Sequence, residues 1–140
     1  MSDQELAYVA GFFDGEGCAC ICKNFSVKIM VSQKLPEVLF WLKVNFGGNV
    51  YPCGKNQGAA KWGLYNKKEL LNFFIAIKPF LRIKLVEVNL CIKMLELSSD
   101  NFSRPQEKNG LYAKNPNEKE RAKIYQDYLA HRKFVREFKS

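Results

Sequence analysis

The first stretch of the chain sets a helix start, a helix stop and two acids close together, and this limits how the fold can begin. Ser2-Asp3-Gln4-Glu5 has the S-x-x-E spacing, in which the Ser hydroxyl and the Glu carboxylate each satisfy a free backbone N–H at a helix N-terminus. Leu6, Val9, Ala10 and Phe13 then recur at helical spacing. Gly15 and Gly17, interleaved with Asp14 and Glu16, oppose continuation, so the helix is expected to end near Asp14-Gly15-Glu16-Gly17. Ala7, Gly11 and Gly15 are spaced by four and share one helix face. That face carries almost no side chain and lets a second backbone approach closely.

Beyond this helix the sequence alternates between strand and helix periods. Residues 18–23 and 26–34 read as strands joined at Asn24-Phe25, the second setting Val27, Ile29 and Val31 against Lys28, Met30 and Ser32. Pro36 suits the first turn of a second helix with an apolar stripe of Leu35, Val38, Leu39 and Leu42, stopped by Gly47-Gly48. A second hairpin, 49–53 and 60–65, flanks a Gly54–Gly58 loop. Asn66 with Glu69 caps a third helix through Ile77, and Pro79 breaks it. Residues 84–97 make a fourth helix. Asn117 and Glu120 cap a last one, in which Ile124, Tyr128, His131, Val135 and Phe138 recur every three or four residues. The order α-β-β-α-β-β-α plus C-terminal helices defines an α+β fold with an antiparallel sheet. The expected organisation is a core over 1–97, a surface loop or linker over 98–116, and a C-terminal helix over 117–140 packed on the same domain. Trp41, Trp62, Phe73, Phe74 and Phe80 are expected in the core.

At 140 residues, 47% apolar and 14% aromatic, the chain can bury one sizeable core. A formal charge of +8 suits a partner with dense negative charge, nucleic acid first. The cysteines are Cys18, Cys20, Cys22, Cys53 and Cys91. Their odd number argues against a closed disulfide framework and for a reducing compartment. Alternating cysteines on one strand make a poor zinc clamp, since their neighbours stand about 6–7 Å apart. No apolar run approaches a membrane span, so a soluble chain with no membrane partner is expected.

Val9-Ala10-Gly11-Phe12-Phe13-Asp14-Gly15-Glu16-Gly17 resembles, position by position, the nine-residue motif of the LAGLIDADG homing endonucleases. The resemblance extends over most of residues 5–97. Val31-Ser32-Gln33-Lys34 is similar to the family's V-T-Q-K segment, and Lys78-Pro79-Phe80-Leu81-Arg82-Ile83-Lys84 to its P-F-L-x-x-K segment. One motif in the sequence implies a homodimer about a two-fold axis, with Ala7, Ala10, Gly11, Phe12, Asp14 and Gly15 at the interface. Asp14 is further expected to help end its helix through local backbone bonds. The implied activity is a Mg²⁺-dependent double-strand break in a long, roughly palindromic site, leaving short 3′ overhangs, with Mn²⁺ able to substitute.

The same resemblance implies the site residues. Glu16 and the carbonyl of Gly15 would bind the metal, Gln33 would order water, and Lys84 would place a positive charge beside the reaction. For DNA contact the strand faces offer Cys20, Cys22, Lys28, Met30, Ser32 and Lys34, with Tyr51, Lys55 and Lys61 from the second hairpin; Cys18, Cys53 and Tyr65 share those faces. Phosphate contacts are expected from Lys34, Lys55, Lys114, Arg132 and Lys133. Two alternatives use the same surface: an RNA maturase acting on intron RNA, and a DNA-binding module that does not cut. An organellar, microbial or viral genome is the implied setting.

Overall fold

The structure is a computed structural model and describes residues 1–52, 58–98 and 117–139. Cys53, Lys55, Lys114, the Gly54–Gly58 loop up to residue 57, residues 99–116 of the expected linker and the side chain of Phe138 lie outside the described residues.

Helix α1 (Asp3–Glu16) begins at the capping box: the Ser2 side chain accepts from Glu5 N and the Glu5 carboxylate accepts from Ser2 N. It buries Val9, Ala10 and Phe13. Glu16 is its last residue and Gly17 its C-cap, within the stretch where the glycines were expected to end it. β1 (Gly17–Ile21) and β2 (Val27–Gln33) form the first hairpin; β3 (Asn49–Pro52) and β4 (Ala60–Leu64) form the second. They make one four-stranded antiparallel sheet in the order β1-β2-β4-β3. Ala19, Ile21, Val27, Ile29, Val31, Trp62 and Leu64 face the core from it.

Helix α2 (Glu37–Phe46) buries Leu39 and Leu42. Pro36 is its N-cap, so Leu35 falls outside the helix and is 75% exposed instead of joining the stripe. Gly47 and Gly48 both take positive φ between α2 and β3, and Trp62 Nε1 donates to the Gly47 carbonyl at 2.9 Å. Helix α3 (Lys67–Ile77), capped by the Asn66 side chain on Lys68 N and Glu69 N, buries Leu70, Phe73, Phe74 and Ile77. Phe73 packs edge-on against Phe13, Phe46 and Trp62 at the centre of the core. Phe80 is partly buried against this core. Trp41 is too, but it lies at the periphery, edge-on to a Tyr8 ring that is 58% exposed.

A 3-10 turn at Lys78–Phe80 leads to α4 (Leu85–Leu97), which buries Val88, Cys91, Ile92, Met94 and Leu95. Helix α5 (Glu118–Lys139) packs on α4 and reaches the first hairpin through the side chains of Arg121 and Tyr128. Arg121 donates to the Phe25 carbonyl at 3.2 Å and lies over the Phe25 ring, and the Tyr128 hydroxyl donates to the Ala19 carbonyl at 3.3 Å. Phe25 sits in the hairpin turn with φ 67°, a conformation bulky side chains resist, and α5 holds it there. The Tyr128 bond also gives a partner to a backbone carbonyl of β1, the strand at the edge of the sheet.

Candidate functional site

Glu16 ends α1 with its carboxylate exposed. Among the described residues no hydrogen bond or ion pair holds that carboxylate. The helix C-terminus is the negative end of its dipole, and no basic residue lies in the last turn of α1 to balance the two acids there. The compensation comes from far along the chain. Asp14 accepts from the backbone amides of Arg82 (2.9 Å) and Lys84 (3.0 Å), and the Lys84 ammonium donates to the Asp14 carbonyl at 2.6 Å.

This is a reciprocal clamp between two helix ends. Lys84 is the N-cap of α4 and has no side-chain capping bond of its own, so the Asp14 carboxylate supplies one from another element. Lys84 in turn brings a cation to the negative end of α1. Asp14 therefore does not end its helix through local backbone groups, as expected from sequence; it is 8% exposed and bonded to residues 68 and 70 positions away. The result is that the Lys84 charge is fixed two residues from Glu16.

Gln33 ends β2 and pairs with Ala60. The first pair of the neighbouring ladder is Gly17 with Val31, so the ends of α1 and β2 lie at the same corner of the sheet. The Gln33 side chain accepts from Lys34 N at 2.9 Å. Glu16, Gln33 and Lys84 are thus gathered at one end of the fold.

On the α1 face, Ala7, Gly11 and Gly15 are exposed, and a Cβ built on Gly11 or Gly15 meets nothing within 4 Å. Phe12 is partly buried. Ala10 is 0% exposed, so its side chain is spent on the core of its own chain and offers no surface to a partner; Asp14 is likewise committed inward. The outward face is therefore narrower than the resemblance implied, and keeps the three residues that the spacing put there.

Register assembles the sheet surface. Ser32 pairs with Lys61, and Lys61 with Tyr51, giving one row across three strands; Cys18 pairs with Met30, and Cys20 with Lys28. These residues alternate with the core-facing set and so share the opposite face. Ser32, Lys34, Tyr51, Lys61 and Tyr65 are exposed, and Cys20, Cys22, Lys28 and Met30 are half-buried. Lys133 is exposed on α5. Arg132 is half-buried, lies over the Tyr128 ring, and brings its positive charge to bear on Cys18.

That arrangement creates a polar cluster the sequence did not reveal. The sulfurs of Cys18 and Cys20 lie 3.1 Å apart. Hydrogen bonding from Cys20, with Arg132 beside it, draws the Cys18 thiol down to about 6. The same contact raises Cys20 well above an ordinary thiol, and burial raises the Tyr128 phenol. Nothing in the local sequence joins residues 18 and 132; the hint was the i, i+4 periodicity that turns Tyr128 and Arg132 to the same face of α5.

A four-stranded antiparallel sheet with helices packed on its core face, and a helix ending in acids at its rim, describes an α+β architecture that leaves the opposite sheet face open. No family model matches the chain. It is 28% identical over 109 residues to a probable intron-encoded endonuclease, aI2, of Debaryomyces hansenii; the match takes in 61% of this chain and 16% of that protein, so the chain spans about a sixth of the relative's length. Among solved structures, the homing endonuclease I-CvuI in complex with its target and calcium superposes with a TM-score of 0.58 at 20% identity, covering 74% of this chain and 73% of that one. The archaeal intron-encoded I-Vdi141I, complexed with DNA, gives 0.55 at 19%, covering 67% and 68%. I-SmaMI, bound to an uncleaved DNA target with calcium, gives 0.55 at 26%, covering 66% of this chain and 36% of that one. The chain thus has the LAGLIDADG homing-endonuclease fold. Among the described residues no helix is long and apolar enough to cross a membrane.

Proposed function

We propose that this chain is a site-specific DNA endonuclease of the homing type, active as a homodimer that cuts both strands of a long, roughly palindromic site. The observation that carries the reading is the exposed α1 face. A helical glycine costs about 0.5–1 kcal/mol relative to alanine, and Gly11 and Gly15 have open space where a Cβ would go, so the chain's own packing does not require them. Close approach of a second α1 does. Two such helices side by side bring the unpaired Glu16 of each chain to one axis.

The donor set fits Mg²⁺ as half of a shared site. Glu16 is an exposed, unpartnered carboxylate beside main-chain carbonyls at a helix end, a hard-oxygen set, and within one chain no group of three acidic, His or Cys side chains among the described residues is placed to hold an ion. Glu16 and the Gly15 carbonyl would hold the ion, with Mn²⁺ an acceptable substitute. A divalent cation there supplies Lewis acidity toward the phosphate and eases ionisation of water. The remaining work belongs to the chain. Lys84, anchored on the Asp14 carbonyl, presents a fixed positive charge where negative charge develops on the phosphodiester. Gln33, at the same corner, orients water.

Recognition falls to the outer sheet face. Lys28, Ser32, Lys61 and Tyr51 would read base edges in the major groove, with Met30, Cys20 and Cys22 in apolar contact. Lys34, Lys55, Lys114 and Lys133 would take phosphates. Arg132 is withdrawn from that set by its place over the Tyr128 ring. Residues 1–97 are proposed as the endonuclease core, and α5 as a brace on its β1 edge. The test is selection from a randomised duplex library and then sedimentation of the complex: two chains per selected duplex support the reading, and one chain per duplex refutes it.

A further inference from the structure

Neither Cys18 nor Cys20 takes part in the cutting chemistry, and their placement is unusual. Alternate residues of a strand stand about 6–7 Å apart, yet the two sulfurs meet at 3.1 Å. Both side chains are half-buried, because β1 is an edge strand and α5 closes over it through Tyr128. Thiols are weak hydrogen-bond partners for each other. A half-buried pair of them is a much better ligand set for a soft ion that prefers sulfur to water.

We propose that Cys18 and Cys20 form a two-sulfur site for a soft, thiophilic cation of the Cu(I) class. Metal–sulfur bonds of about 2.3 Å let two sulfurs on one ion stand up to about 4.6 Å apart, so small χ1 rotations from the present contact bring both onto a shared ion while β1 keeps its register. Structural zinc takes four ligands, and no cluster of three or more ligating side chains is available among the described residues. Two thiolates on a monovalent cation leave one net negative charge. Arg132, whose positive charge acts on Cys18, has the sign to offset it, while Glu87, the acid acting on Cys18, is 3.5 Å from His131. Loading involves no oxidation: two S–H bonds are replaced by two S–Cu bonds, and both protons leave to solvent. The site is independent of whether the chain cuts DNA.

The experiment is an anaerobic titration of the full chain with Cu(I) held by a coloured chelator. One Cu(I) per chain is expected, with ultraviolet thiolate-to-copper absorption. Cys18→Ser and Cys20→Ser should each weaken affinity at least about tenfold, and Arg132→Gln about tenfold, the range for a group that supports a ligand. Cys22→Ser should match wild type. Cys18→Ala and Cys20→Ala, which keep an apolar side chain in place, should reproduce the serine variants with unchanged circular dichroism. Copper lost entirely to the chelator, or binding that survives at Cys18 and Cys20 or falls equally in Cys22→Ser, overturns the proposal.

Discussion

Replacing Asp14 by alanine removes the acceptor that joins the end of α1 to the start of α4. Two backbone N–H bonds to a charged carboxylate are lost, at 2.9 and 3.0 Å. Hydrogen bonds to charged groups contribute about 1.5–3 kcal/mol each. Arg82 is exposed and Lys84 half-buried, so water reaches the freed amides and the lower end applies, giving a loss of about 3 kcal/mol for Asp14→Ala. Asp14→Asn keeps one acceptor oxygen but turns an NH₂ toward the other amide, and should lose roughly half as much. Urea unfolding checks this as a fall in midpoint at constant m. The loss relative to wild type should not change with protein concentration, because both partners of the clamp belong to one chain. A loss under about 0.5 kcal/mol, within the range of ordinary surface substitutions, would refute the clamp; a loss that grows with dilution would place the Asp14 carboxylate across a subunit boundary instead.

Gly11→Ala should stabilise the dissociated chain by about 0.5–1 kcal/mol while weakening self-association, since the new methyl meets open space within the chain and a helix in the dimer; melting at low concentration and sedimentation at high concentration read the two effects. Gly17→Ala should cost about 1–3 kcal/mol or more by overpacking, because its Cβ would overlap the buried Phe13 ring; equal urea midpoints would contradict this. Burial pushes the Cys91 thiol up to about 12, with Glu87 adding to the shift, so the unfolded chain loses this proton at lower pH than the folded one. The stabilisation is complete below the ordinary 9.0 and declines as pH rises towards about 12; the melting temperature should fall more steeply across that window in wild type than in Cys91→Ala.

Local information was legible in the sequence and distant pairing was not. The capping box at Ser2 and Glu5, the Asn66 cap and the alternation of Val27, Ile29 and Val31 are all set by neighbours a few residues apart, and each element formed near its expected bounds. Glu16, Gln33 and Lys84 could be named from short segments. What placed Lys84 was a contact spanning 70 residues, and no periodicity in α1 or α4 encodes it. The family resemblance put Ala10 and Asp14 on a dimer surface; tertiary packing took both into the chain's own interior. The cysteine pair obeys the same rule: strand geometry kept the sulfurs apart, and the closing of α5 over the β1 edge accompanies their contact.

The central claim is that Glu16 from two copies of this chain forms the cutting centre. Its most direct test is cleavage of a plasmid bearing a selected site, with Mg²⁺, by wild type and Glu16→Gln, each shown to be dimeric on DNA by sedimentation. Wild type should linearise the plasmid, whereas Glu16→Gln should bind the site with similar affinity and leave both strands intact. Cutting by Glu16→Gln at the wild-type rate would contradict the account.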